Sequence, residues 1–232
     1  MFKLLLIPCM LAVANAIGNQ ANTETGNDYV CDPGSVGNCD CGKAKTCKCT
    51  VGVGNCVATD VTDEVTCTVG TGNCVVGSAK KTTCTVETGN CKTKSPIVIC
   101  TVGAGTCHAS KATTSFSCVT EAGNCQASGN TGGTVDCTIT GAGNCYCGSA
   151  KTCGGAVETG SISCMESTAC DCSGLSTGTC CGSDAQITVK AQATATVTAD
   201  ACCGTCPSAS SASTTGLSLF VAAVAAVAAT SL

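Results

Sequence analysis

No tryptophan and no arginine occur anywhere in the 232 residues, there is one histidine, and aromatic side chains occupy only 2% of positions. A core built on large side chains is therefore excluded, because Phe2 and Phe220 lie in terminal segments and Tyr29, Phe116 and Tyr146 alone remain between them. Nucleic acid is not an expected partner: the net charge is −4, and phosphate binding wants basic patches while base reading leans on bidentate arginine. With His108 as the lone imidazole and no acid pair set in a motif, general acid–base catalysis lacks its usual groups. We therefore expect a protein that is not an enzyme and needs no cofactor or metal. No Asn-x-Ser/Thr acceptor is present, so any glycan would be O-linked, most naturally on Ser208 to Thr215.

What the chain has in abundance is cysteine (27) and glycine (28). The two ends say where that cysteine is used. Lys3, an apolar run from Leu4 to Val13, and the small residues Ala14 and Ala16 have the layout of a cleavable secretory signal, and the run is far short of the roughly 20 residues that span a bilayer. Residues 1–16 are thus expected to be removed, taking Cys9 and Lys3 with them. Ten Lys against fifteen Asp plus Glu then give 10 − 15 = −5. At the other end Pro207 and a small polar stretch, Ser208 to Thr215, precede an uncharged tail from Leu217 to Leu232. Small residues, a polar spacer and a terminal apolar tail are the order of a glycosylphosphatidylinositol (GPI) attachment signal. Residues 207–232 are read as that signal, with Ser208, Ser210 and Ser211 as candidate attachment residues; a retained tail anchor is the alternative. In the oxidising compartment this routing implies, the remaining cysteines are expected to pair.

Between the ends lies a repeat. Cys67 to Cys74 reads CTVGTGNC, and the unit recurs at Cys49 to Cys56, Cys84 to Cys91, Cys100 to Cys107 and Cys118 to Cys125. Cys137 to Cys145 and Cys31 to Cys39 carry one extra residue. Cys164 to Cys170 (CMESTAC) reads as a degraded further copy. The first cysteines of the seven clear copies fall about 18 residues apart, and the looser second half shares Gly77-Ser78-Ala79-Lys80 with Gly148-Ser149-Ala150-Lys151. Self-similarity at this period points to stacked rungs that bury a face only against one another. Cys-Thr-Val favours a strand, and Gly-Asn supplies residues tolerant of a tight turn, so the unit reads as strand, turn, cysteine, return.

The expected fold is all-β: a narrow, disulfide-rich β-solenoid of about 18 residues per rung over 31–153, after a polar segment at 17–30. A cysteine-rich cap follows at 154–206, containing the alternating strand Ile187 to Ala199. A string of separate hairpin knots is the alternative. Disulfide candidates are Cys49, Cys56, Cys67, Cys74, Cys84, Cys91, Cys100, Cys107, Cys118, Cys125, Cys137 and Cys145; their connectivity does not follow from sequence, since stacked rungs about 4.8 Å apart admit bridges both within and between rungs. Variable segments such as Val57 to Thr66, Lys92 to Ile99 and Gln126 to Asp136 are expected as outward loops.

Cys-x-Cys pairs at Cys39/Cys41, Cys47/Cys49, Cys145/Cys147 and Cys170/Cys172 have spacings that suit soft metals, but in an oxidising compartment thiols pair first. Calcium rungs would need a recurrent acid, which the unit does not carry. Thr66-Cys67-Thr68 and Thr83-Cys84-Thr85 resemble the threonine-cysteine-threonine rungs of small beetle antifreeze proteins, although Lys48, Ile99, Ser117 and Asp136 stand where a first threonine would be.

The combination of signal, periodic cysteines and lipid-anchor tail resembles the cysteine-periodic GPI-anchored surface antigens of protists, such as the immobilisation antigens of ciliates. Their Cys-x-x-Cys signature occurs here at Cys203 to Cys206. The resemblance implies a coat, adhesion or antigen protein on the outer face of the plasma membrane, with the membrane as partner through a lipid anchor. Ice binding, and a secreted inhibitor or effector, are the alternatives.

Overall fold

A computed structural model describes residues 18–129, 132–164 and 166–181, and the backbone of 187–188 and 196–197. The described chain is all-β. Short strands β1 (Gln20–Ala21), β2 (Asp28–Cys31) and β3 (Cys39–Asp40) begin it. Eight long strands follow: β4 (Thr46–Ala58), β5 (Glu64–Val76), β6 (Lys81–Thr93), β7 (Ile97–Ala109), β8 (Ser115–Ala127), β9 (Thr134–Tyr146), β10 (Thr152–Ser163) and β11 (Ala169–Cys181). Each long strand pairs in parallel with the next, and β2 and β3 both pair with β4. The result is the expected β-solenoid, with about nine turns some 18 residues apart.

The period follows from register. Cys31, Cys49, Cys67, Cys84, Cys100, Cys118 and Cys137 are successive Cα partners, so the first cysteines of the seven repeats form one column. Along β5 alternate residues point inward: Val65, Cys67 and Val69 are buried, while Thr66 and Thr68 face out. This is the two-residue side-chain period of a strand with one buried face.

The expected turn at Gly-Asn is a bend within one continuous strand. Gly54, Gly72, Gly89, Gly105, Gly123, Gly160 and Gly178 take φ between 136° and 146°, a region closed to most L-residues. A Cβ on any of them would collide with the carbonyl oxygen of the glycine one rung earlier. Backbone stacks on backbone here, and only glycine fits.

Inside, cysteine, valine and alanine fill the section, and every cysteine from Cys31 to Cys181 is at most 2% exposed. Phe116 is buried too, where its register partners are Val98 and Val135, so one large side chain is accommodated. In β6 the corresponding position is Thr82, which shares hydrogen bonds with Thr93 (3.1 Å) and Ser95 (2.6 Å) in a buried hydroxyl trio. That network satisfies groups whose burial alone would be costly.

Three expectations change. The stack does not stop at 153: β10 and β11 continue it in parallel register. CMESTAC is no repeat copy, because Cys164 and Cys170 bracket the connection between those two strands; the rung that lost its cysteines is β10, where Gly155 and Ile162 face Cys137 and Cys145. The supposed outward loops are mostly structural, since Val61, Val65, Thr93, Ser95, Val98 and Val135 within them are buried. Small inward residues of the connections, such as Ala44, Ala79, Ala112 and Ala150, close the remaining side of each rung. Of the strand expected over Ile187 to Ala199, Ile187–Thr188 and Thr196–Val197 each pair with β11; the rest lies outside the described residues, as do the signal segment 1–16 and Ser208, Ser210 and Ser211.

Candidate functional site: a sulfur column inside, a threonine column outside

The two cysteines of a repeat face each other across the rung. Cys100–Cys107, Cys118–Cys125 and Cys137–Cys145 are disulfides with Cα separations of 6.1, 5.9 and 6.1 Å, and Cys31–Cys39 and Cys172–Cys180 close their rungs in the same way. Connectivity is thus within rungs. A second set, Cys41–Cys47, Cys147–Cys153 and Cys164–Cys170, ties the connection to the start of the following strand. The Cys-x-Cys pairs are explained by this: Cys39 and Cys41, like Cys145 and Cys147, point inward two residues apart and bond to different partners.

In the three rungs β4–β6 the same positions hold thiols: Cys49, Cys56, Cys67, Cys74, Cys84 and Cys91. The Sγ atoms of Cys49, Cys56 and Cys67 lie within 4.8 Å of one another, as do those of Cys67, Cys74 and Cys84, and of Cys84, Cys91 and Cys100. The register of these rungs is that of the bonded ones. Hydrogen bonds from Cys49, Cys67 and Cys74 hold the Cys56 thiol well below its ordinary value. Burial, then hydrogen bonds to Cys49 and Cys56, drive Cys67 far up. These six sulfurs have the donor chemistry for a soft metal or for exchange.

A third ladder runs beside the glycines. Asn55, Asn73 and Asn90 each donate through Nδ2 to the Oδ1 of the asparagine one rung earlier at 3.1 Å, starting from Asn38, and Asn144 does so to Asn124. The backbone N–H of Asn55, Asn73 and Asn144 donates to the same oxygen. Thr106 and Ser161 take the asparagine's place in β7 and β10 and still hydrogen-bond back to it, through the Thr106 backbone N–H and the Ser161 Oγ. The recurrence of asparagine before the second cysteine of the repeat is the sequence signal of this ladder, beyond its role at the bend.

Outside, Thr50, Thr68, Thr85 and Thr101 are consecutive register partners and all exposed, followed by Val119 and then Thr138. Thr66 and Thr83 stand beside them, flanked in their own column by Lys48 and Ile99. His108 sits on β7, half-buried, with Nε2 2.7 Å from the Ser128 hydroxyl, and burial followed by the Lys92 charge lowers its pKa.

Compared with known proteins, the chain matches no family model, no curated protein and no solved structure.

Proposed function

We propose that this chain is a non-enzymatic structural protein of the cell surface: a stiff β-solenoid held out from the membrane by a C-terminal GPI anchor, serving as coat, adhesion or antigen. The observation that carries the reading is the interior, a narrow column sealed by stacked disulfides that leaves its outer positions free to vary. Rungs rising about 4.8 Å each lengthen the solenoid with every repeat, and covalent closure of every bonded rung opposes local opening and proteolysis. The signal-like start and the Ser208-to-Leu232 tail support delivery and anchoring, as does the resemblance to protist surface antigens. The test is release of the full chain from expressing cells by phosphatidylinositol-specific phospholipase C. Loss from the cell surface with recovery in the medium is expected; retention on cells, or secretion without the enzyme, contradicts the anchor.

The exposed threonine column favours a second reading, ice binding, since hydroxyls and methyls repeat there once per rung. Thermal hysteresis of the oxidised protein, abolished by Thr68→Lys, would replace the coat reading.

A further inference from the structure

Where β10 lacks the rung cysteines, the sulfur column does not end; it steps sideways. Cys145 Sγ lies 3.6 Å from Cys147 Sγ, Cys153 Sγ 2.8 Å from Cys164 Sγ, and Cys170 Sγ 3.6 Å from Cys172 Sγ. The cystines Cys147–Cys153 and Cys164–Cys170 therefore connect Cys137–Cys145 to Cys172–Cys180 around Gly155 and Ile162. At the other end the thiols of β4–β6 meet the first bonded rung, Cys84 and Cys91 standing beside Cys100. All these sulfurs are at most 2% exposed, so reagents in solution do not compete for them.

The geometry points to an internal thiol–disulfide exchange path, in which a reduced rung is passed along the buried column and through the Cys147–Cys153 and Cys164–Cys170 detour. In the first step the Cys84 thiolate attacks Cys100 Sγ; a Cys84–Cys100 bond forms, the Cys100–Cys107 bond breaks, and its electron pair leaves on Cys107. Cys91 then gives up its proton and attacks Cys84 Sγ, forming Cys84–Cys91 and releasing Cys100. One pair has been oxidised and one reduced, the protons given up by Cys84 and Cys91 end on Cys100 and Cys107, and no outside oxidant or reductant is consumed. This is ordinary exchange through a mixed disulfide, which needs a thiolate and access to a neighbouring disulfide sulfur. The column supplies both, and a thiol pair is then not fixed to the rung where it arose. The inference rests on sulfur placement and is independent of where the protein resides.

The full chain, purified without oxygen at acid pH, where exchange is halted, would be moved to native buffer at neutral pH, still without oxygen or added thiol. It would be quenched in acid at intervals, alkylated in denaturant, and mapped by mass spectrometry. Label starting on Cys49, Cys56, Cys67, Cys74, Cys84 and Cys91 is expected to spread to Cys100, Cys107 and onward to Cys172 and Cys180, with the number of column thiols unchanged throughout. The double variant Cys147→Ser, Cys153→Ser should keep the spread as far as Cys145 and lose it at Cys172 and Cys180. Label that stays on the original six at every interval overturns the proposal. So does spreading that the double variant leaves unchanged, and so does a soft metal found tightly held on the six thiols.

Discussion

Strands β4–β6 and strands β7–β9 stack their repeat cysteines in the same columns and carry related outer residues, yet the first three rungs hold thiols where the last three hold disulfides. β10 goes further, with Gly155 and Ile162 in place of the pair, and still stacks. The path of the rung is therefore set by parallel backbone hydrogen bonding, the glycine contact and the asparagine ladder. Covalent closure adds resistance to unfolding, chiefly by restricting the unfolded chain. Shape and durability have separate causes in this molecule.

Breaking the shape should hurt most. Gly89→Val places a side chain against the Gly72 carbonyl at a φ of 136° and should cost about 4 kcal/mol or more, read as a collapse of the urea midpoint. Ile162→Ala empties the space that a cystine occupies in neighbouring rungs and should cost about 3 kcal/mol in the same assay. Replacing both Cys118 and Cys125 by alanine removes a closed loop with a sequence separation of 7, for a loss of about 2.5 kcal/mol. The matched double replacement of Cys67 and Cys74, made in the thiol state, removes packing only and should cost about 1 kcal/mol. Equal losses for the two pairs would dissolve the distinction between the regions. Asn73→Ala removes both of its amide hydrogen bonds, the one donated to Asn55 and the one accepted from Asn90, and should cost about 1.5 kcal/mol.

The smallest effect should come from pH. His108 is held neutral by burial and by Lys92, so its folded pKa lies below the unfolded value and the unfolded chain binds the extra proton first. Stability should fall as pH drops below the ordinary histidine range and level off beneath the folded pKa. His108→Gln should flatten that slope in denaturation midpoints taken between pH 7.5 and 5.5.

Much of this was legible from spacing. The first cysteines of seven repeats, Cys31 to Cys137, predicted a column, and they form it, because a solenoid converts sequence period directly into register. The β10 rung was not legible, since Gly155 and Ile162 carry no mark of the cystine position they occupy. The second disulfide set was hidden by proximity: Cys39 and Cys41 look like one chelating pair, and only the alternate-residue geometry of a strand shows two neighbours with separate partners. Asn73 offered a local role at a bend, whereas its amide partners lie 18 residues before and 17 after it.

Disulfide mapping of the native chain, trapped by acid and alkylated before digestion, bears most directly on the rung as the unit of this fold. Bridges are expected within rungs and connections, such as Cys100–Cys107, Cys118–Cys125, Cys137–Cys145 and Cys147–Cys153. A map dominated by links from one rung to the next, such as Cys100 to Cys118, would contradict it.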